Sequence, residues 1–295
     1  MLHFYWTLVA LAILTVLAFG PALVARRYAY TWSLLIWLVP DIGILWWFLS
    51  SRAYQISRKK AFGWTTLYLF LNGLILDVFF AHHLFTFPNM DAVIGIFLPG
   101  FSISEFRFVW EHPFPIEELF FYFLGFVCIL LIYVWADEYW FKKYHYAMNE
   151  RTGAGIKGIT GFHIKAVILG LVLLLLATAL KQFINPSSHY FMPLYLIPQI
   201  LMAFVPSVIL LKEVGRRINW RAFSFALVST LLISVLYEVT LGIPAQWWGY
   251  QKAPMVGLFV GSWNDLPIEA VTLWYAAAFM TILVYEAFKA LVSPS

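Results

Sequence analysis

Five acidic residues lie where the sequence is otherwise strongly apolar. Glu117 and Glu118 belong to a Pro-Ile-Glu-Glu motif that heads the run FFYFLGFVCILLIYVW, and Glu269 belongs to a Pro-Ile-Glu-Ala motif about 150 residues later. The apolar segment that precedes each motif contains a further acid. Asp77 in LILDVFF precedes the first motif, and Glu238 in VLYEVTL precedes the second. A carboxyl group that is buried among apolar side chains and other carboxyls holds its proton near neutral pH and can deliver it in a dry cavity. The acids therefore predict a proton-transfer centre.

A simpler interpretation exists for each motif alone. Proline suits the first turn of a helix, and an acid there meets the positive end of the helix dipole. The recurrence of acids in register favours the functional interpretation, because intramembrane acids that face a helix bundle mark functional sites. Consecutive helical residues are about 100° apart, so Glu117 and Glu118 cannot face the same point. Ala270 stands where the second motif would have its second acid.

Aromatic side chains crowd the segments that surround these acids. Such residues often form a belt at the membrane boundary. Ring faces also stabilise cations, so aromatics around an acid that protonates an alkene would tolerate the resulting carbocation. The candidate substrate-binding aromatics are Phe80, Trp110, Phe121, Trp247, Trp248, Tyr250 and Trp263.

The composition places these acids in a membrane protein. Of the 295 residues, 62% are hydrophobic and only 12% are charged, whereas soluble domains are about a quarter charged. Continuous apolar runs of about 20 residues predict membrane-spanning helices, and hence an all-α polytopic fold. The eight expected spans are roughly 3–24, 31–50, 62–84, 114–135, 164–184, 191–211, 221–242 and 266–288. The sequence contains no tract rich in lysine and arginine that would predict a nucleic-acid partner.

The distribution of positive charge predicts the orientation. The loops after spans 2, 4 and 6, together with the C-terminal end, contain 14 of the 19 lysines and arginines, and the other side has 5. Cytoplasmic loops are enriched in these residues. We therefore expect an integral protein of the inner or plasma membrane with both termini in the cytoplasm.

The repeated acids predict an internal duplication. Four spans separate the two copies of each motif, so both copies run in the same direction across the membrane. This predicts two four-helix halves related by an axis along the membrane normal. The halves would be residues 1–140 and 164–295, joined by a cytoplasmic linker at 141–163.

The sequence gives less support for disulfide, metal or cofactor chemistry. The single cysteine, Cys128, excludes an internal disulfide and a cysteine-based zinc site. The histidines are scattered, without the spacing of a metal cluster, although His82 and His112 lie close enough to the acids to assist proton transfer. Asp41 is a further acid within a span, and its expected counterpart is Gln199. We predict neither a metal nor a cofactor.

The acids and their surroundings resemble the membrane-integral lycopene cyclase domain family, which includes the heterodimeric bacterial type and the fused archaeal and fungal forms. The similarity rests on PIEELFFYF in the first half, and on YEVTLGIPAQWWGY and MVGLFVGSWNDLPIEA in the second. It covers residues 62–135 and 219–288. Ala270 departs from the family pattern, in which an acid is usual.

The resemblance implies a redox-neutral cyclisation of linear carotenoid ends to β- or ε-ionone rings, without FAD. Glu117 and Glu118 would be the main acid–base residues and Glu269 the next, with Asp77 and Glu238 as partners. The substrate would be a carotenoid within the bilayer, and the protein would associate with itself or with other carotenoid enzymes.

Two other classes of function remain open. A proton-coupled transporter or a lipid-binding receptor would also use duplicated bundles with buried acids. Pro193, Pro198 and Pro206 lie in span 6 and would break one helix, as Gly and Pro do in many transporters. A related carotenoid enzyme could instead add water to the same cation, as a hydratase does.

Overall fold

The long apolar runs form the scaffold of the protein. We analysed a computed structural model, which describes residues 27–50, 56–102, 106–144 and 163–292. Within these residues, seven helices are long and apolar enough to cross a membrane. They are α1 (Ala29–Trp47), α2 (Arg58–Leu84), α3 (Glu117–Trp140), α4 (Ile164–Ile184), α5 (Leu196–Val214), α6 (Trp220–Gly242) and α7 (Ile268–Val292). The mostly helical chain is therefore compatible with an integral membrane protein.

The seven helices correspond to predicted spans 2 to 8. The predicted span at 3–24 lies outside the described residues, as do residues 145–162 of the predicted linker. The mostly helical architecture agrees with the predicted fold class, and the loops at one end of the bundle add three antiparallel pairs of strands that were not predicted. These strands are β1 (Phe85–Thr86) with β4 (Gly249–Tyr250), β2 (Phe97–Ser102) with β3 (Arg107–Pro115), and β5 (Phe259–Val260) with β6 (Leu266–Pro267). We call this end of the bundle the hairpin end.

Helices α3 and α7 form the centre of the bundle. Residues 126–136 of α3 are buried throughout, and so are residues 280–287 of α7. Both stretches are mostly apolar, and the two helices pack against α2 and α6. Helix α4 is peripheral, with Leu175, Leu176 and Phe183 exposed, as suits a surface in contact with lipid.

Several helices widen locally into π-helical turns. Two of these turns begin at an acid, Asp77–Ala81 in α2 and Glu238–Gly242 in α6. Others lie at Leu34–Leu38, Ala136–Trp140 and Gln199–Phe204, and short 3₁₀ turns lie at Met90–Ala92, Lys142–Tyr144 and Gly261–Trp263. Single π turns inside α-helices are frequent at functional sites, because they displace side chains from the regular register.

Several charged side chains at the opposite end of the bundle are paired. Lys289 donates to Glu286 at 2.6 Å, and the hydroxyl of Tyr133 donates to the same carboxylate at 2.9 Å. Asn219 donates to Asp137 at 2.8 Å. These acids have the partners that buried charges require, which gives them a structural role.

Candidate functional site: a duplicated acid centre

The first glutamate of each Pro-Ile-Glu motif accepts a hydrogen bond from the backbone of the preceding loop. The N–H of Ile94 donates to Glu117 at 2.7 Å, and the N–H of Val256 donates to Glu269 at 2.5 Å. Both glutamates are almost fully buried. Each loop therefore folds back onto the start of the helix that follows it.

The chain takes the same path in both loops. The residue after each N–H donor is a glycine with positive φ, Gly95 at 85° and Gly257 at 106°. One residue later, the carbonyl accepts from the residue before the glutamate: Ile116 N–H donates to Ile96, and Ile268 N–H donates to Leu258, both at 3.0 Å. The strand register agrees as well, since Phe97 pairs with Pro115 and Phe259 pairs with Pro267.

The two glutamates differ in their remaining neighbours. The hydroxyl of Thr31 donates to Glu117 at 2.5 Å. Near Glu269, the ammonium of Lys181 donates to the carbonyls of Ala253 and Met255, both at 2.5 Å, and so holds the loop that supplies the N–H donor. Among the described residues, Oε2 of Glu117 and Oε2 of Glu269 have no hydrogen-bond partner.

Glu118 points away from its neighbour, as the helical geometry predicts. It is buried, and its Oε1 accepts a hydrogen bond of 2.7 Å from the hydroxyl of Tyr30. Ala270, which takes its place in the second motif, is 1% exposed and closely packed. The second acid thus exists only in the first copy of the motif.

The two acids of the π turns have contrasting surroundings. Glu238 accepts two hydrogen bonds, one of 2.5 Å from the hydroxyl of Tyr250 and one of 2.6 Å from the indole N–H of Trp274. Asp77 is fully buried, and within the described residues neither of its carboxylate oxygens has a hydrogen-bond partner. It lies close enough to Glu118 for the two carboxyl groups to repel each other when charged.

Glu118 and Glu238 line one cavity at the hairpin end of the bundle. Eight of its eleven lining residues are aromatic: Tyr30, Phe85, Phe121, Tyr122, Tyr195, Trp248, Tyr250 and Trp274. The free volume is about 20 Å³, which is room for a water molecule. We call this space the acid cavity. It places two carboxyl groups from different halves of the chain within a wall of aromatic rings.

The predicted substrate-binding aromatics separate into two groups. Phe121, Trp248 and Tyr250 line the acid cavity, and Trp247 lies behind it, stacked on Tyr30 with 5.7 Å between ring centroids. Phe80 is half-buried and packs against two hydrophobic clusters. Trp110 and Trp263 are 63% and 40% exposed and stand outside the cavity, where the belt interpretation suits them better.

The other polar residues singled out from the sequence do not line the acid cavity. The ring of His82 is buried against His83 with 3.8 Å between centroids, and the side chain of His112 lies outside the described residues. Asp41 is buried on α1. Gln199 donates to the backbone carbonyl of Glu269 at 2.8 Å. In the described part of the chain, no group of three histidine, cysteine or acidic side chains could hold a metal ion.

Five aromatic residues of the cavity are absent from the predicted substrate-binding set, namely Tyr30, Phe85, Tyr122, Tyr195 and Trp274. Two of them could have been found from spacing alone, because Tyr122 and Trp274 each follow the first glutamate of a motif by five residues. Tyr30 and Tyr195 lie in segments that carry no repeated motif, so only the fold brings them to the acids.

No family model, no curated protein and no solved structure matches this chain. The geometry of the acid cavity is therefore the main basis on which a function can be assigned.

Proposed function

We propose that the protein is a membrane enzyme that cyclises the end groups of a linear carotenoid such as lycopene by acid–base catalysis. The observation that supports this proposal is the acid cavity itself, in which Glu118 and Glu238 share a space with aromatic walls. A cation formed there would be shielded from bulk water and stabilised by ring faces. The resemblance in the two motif regions points to the same reaction.

The reaction is an isomerisation in which no atom is gained or lost. The carboxyl proton adds to the terminal double bond of the acyclic end group and leaves a tertiary carbocation. The electron pair of a second double bond closes a six-membered ring onto that cation, and the positive charge moves into the ring. A carboxylate then removes a ring proton, and that C–H electron pair forms the ring double bond. No oxidant or reductant is required.

The hydrogen bonds suggest which acid has which role. Glu238 accepts from two donors, the arrangement that stabilises a carboxylate, so it is the residue to attract the cation and remove the ring proton. Glu118 accepts from one donor, Tyr30, so its charged form is less stabilised than that of Glu238, and Glu118 is suited to supply the proton. A charge on Asp77 would repel a charge on Glu118, which also favours a protonated Glu118.

This assignment changes the order of the sequence-based candidates. Glu117 and Glu269 hold the loops of the hairpin end through Ile94 and Val256. They would position the site, Glu118 and Glu238 would carry out proton transfer, and Asp77 would act as a partner of Glu118.

The proposal includes a duplicated architecture with both termini in the cytoplasm. Two matched features support the duplication: the paired loops with Gly95 and Gly257, and the acids that begin the π turns of α2 and α6. The excess of lysine and arginine in the loops opposite the hairpin end supports the orientation.

Expression in bacteria that make lycopene tests the reaction. We expect the wild-type protein to convert lycopene to cyclic products of the same mass and the Glu118→Gln variant to convert none. Glu213→Gln, which alters a half-buried acid near the other end of the bundle, is the control and should keep activity. Unchanged lycopene in cells that contain well-inserted wild-type protein would rule out the proposal.

One observation keeps a second reaction in view. The acid cavity has room for a water molecule, and water could capture the carbocation before the ring closes. Such a hydratase would give products heavier by one water per end group. Mass spectrometry of the same pigment extracts separates the two reactions.

A further inference from the structure

Two apolar cavities adjoin the acid cavity on opposite sides. The first has a free volume of about 50 Å³, lies among α2, α3, α5 and α7, and shares Tyr122, Leu273 and Trp274 with the acid cavity. The second has about 30 Å³, lies among α1, α3, α6 and α7, and shares Phe121 and Trp274 with it. Trp274 thus borders all three spaces.

The two apolar cavities are formed by matching positions of the two halves. Gly73 precedes Asp77 by four residues and lines the first cavity, and Ser234 precedes Glu238 by four residues and lines the second. In the same way, Ala277 in the first cavity follows Glu269 by eight residues, and Gly125 in the second follows Glu117 by eight.

Larger side chains fill more of the second cavity. The residue before the π-turn acid is Leu76 in the first cavity and Tyr237 in the second. The residue four after the first glutamate of the motif is Leu273 in the first and Phe121 in the second. The first cavity is therefore the wider of two related spaces.

The first cavity offers almost nothing to a polar ligand. Its polar lining residues include Asn72 and Gln199, and both amides are already bonded: Asn72 donates to the carbonyl of Tyr68, and Gln199 bonds to Glu269 and Thr272. Apolar cavities of this kind stay dry and take hydrocarbon. The cavity also lies between α2 and α5, which both pack on α7 but make little contact with each other, so a gap between these two helices leads to it within the described residues.

We propose that the first cavity, lined by Gly73, Ala203 and Ala277, binds the hydrocarbon chain of the substrate while its end group enters the acid cavity, whose aromatic walls move apart to admit it. This inference rests on the proposed function, and it adds where the rest of the molecule lies. The shared wall of Tyr122, Leu273 and Trp274 joins the two spaces, so a continuous chain passes from the gap between α2 and α5 to Glu118. Small residues along this path leave room for the methyl branches of an isoprenoid.

The test measures bound pigment rather than turnover. The Glu118→Gln protein is purified from lycopene-making bacteria, and the ratio of pigment to protein is read from absorbance. Adding Ala277→Leu or Ala203→Leu, which lie on different helices, fills the first cavity. Larger side chains there would occupy the space that the chain needs. We expect each to lower the pigment ratio by about fivefold or more.

Two controls make the result specific. Ala179→Leu is the same change on an exposed position of α4, and Cys128→Leu partly fills the second cavity. Both should retain pigment, and elution of every variant as a single symmetric peak in size-exclusion chromatography shows that it is folded.

Failure of this inference differs from failure of the reaction. If folded Ala277→Leu and Ala203→Leu proteins keep their pigment, if Cys128→Leu alone loses it, or if a phospholipid rather than pigment is displaced, the first cavity is not the chain site. If wild-type protein leaves lycopene unchanged, the proposed reaction fails, whatever the pigment ratios are.

Discussion

The two Pro-Ile-Glu helix starts have the same backbone and different acids. In both, a glycine with positive φ turns the loop, a backbone N–H caps the buried glutamate, and a short strand pair precedes the helix. The next position is Glu118 in α3 and Ala270 in α7. The common part fixes how the helices begin, and the difference places a second buried carboxyl at the acid cavity in α3 but not in α7.

The two acids that begin the π turns also differ, and here the second half has the additional groups, which are hydrogen-bond donors. Glu238 in the second half has two donors, and Asp77 in the first half has none within the described residues. Of the two acids that line the acid cavity, Glu118 accepts from one donor and Glu238 accepts from two. Under the proposed function, the two halves, whose helix starts have the same backbone geometry, would thus serve different roles, with Glu118 as the proton donor and Glu238 as the group that stabilises charge.

The largest expected effect comes from removing the carboxyl of Glu118 and placing one at the matching position 270 instead. We expect Glu118→Ala to abolish lycopene conversion, a loss of about 10²-fold or more for an acid that transfers a proton. Adding Ala270→Glu to it should not restore activity, because Ala270 is 1% exposed and does not line the acid cavity. A glutamate there would have to displace packed neighbours.

Pigment extracts analysed by chromatography, normalised to the amount of protein in the membrane, provide the measurement. The single variant Ala270→Glu shows whether the added carboxyl disturbs insertion. Recovery of more than about a tenth of wild-type conversion in the double variant would show that the two halves are interchangeable and that the asymmetry of the centre is not essential.

A smaller difference should separate the two π-turn acids. Glu238→Gln keeps the shape of the side chain but cannot accept from both Tyr250 and Trp274, since one of its oxygens becomes a donor. We expect about a 10²-fold loss of initial rate, because the base and one hydrogen bond are lost together. Asp77→Asn breaks no hydrogen bond that the described residues show, so we expect a loss within about tenfold.

Initial rates with lycopene in lipid vesicles measure both variants, and equal thermal stability of the two proteins is the control for folding. The opposite order, with Asp77→Asn the more damaging change, would show that Asp77 itself transfers a proton and would overturn its supporting role.

The sequence predicts those features of the centre that depend on neighbouring residues, and it does not predict those that depend on residues far apart in the chain. The helices at 164–184 and 266–288 follow from continuous hydrophobicity, and the different directions of Glu117 and Glu118 follow from the pitch of a helix. The strands could not be predicted because several are only two residues long. The partner of Glu118 is Tyr30, 88 residues away, and that contact exists only after α1 has packed beside α3.

One local signal of the two matching loops is present in the sequence but easily overlooked. The segments Ile94-Gly95-Ile96-Phe97 and Val256-Gly257-Leu258-Phe259 are nearly the same phrase, and each precedes a Pro-Ile-Glu motif. The spacing to the motif differs because the first hairpin is longer, which hides the match from a search at fixed distance. Substituting each of the two glycines and measuring thermal stability tests whether the two loops behave alike.

The smallest expected effects concern these two glycines. Gly95→Ala and Gly257→Ala place a Cβ on a residue with positive φ, which costs roughly 1–2 kcal/mol of folding free energy. At Gly95 the new Cβ would meet nothing within 4 Å, whereas at Gly257 it would lie 3.0 Å from Cγ2 of Ile184. We therefore expect both variants to unfold at lower temperature in detergent, and Gly257→Ala at a lower temperature than Gly95→Ala.

Gly43→Ala, on an open face of helix α1, is the matched control and should be neutral or stabilising by up to about 1 kcal/mol. Wild-type stability in both hairpin variants would mean that the shared turn is not what holds the two glutamates in place.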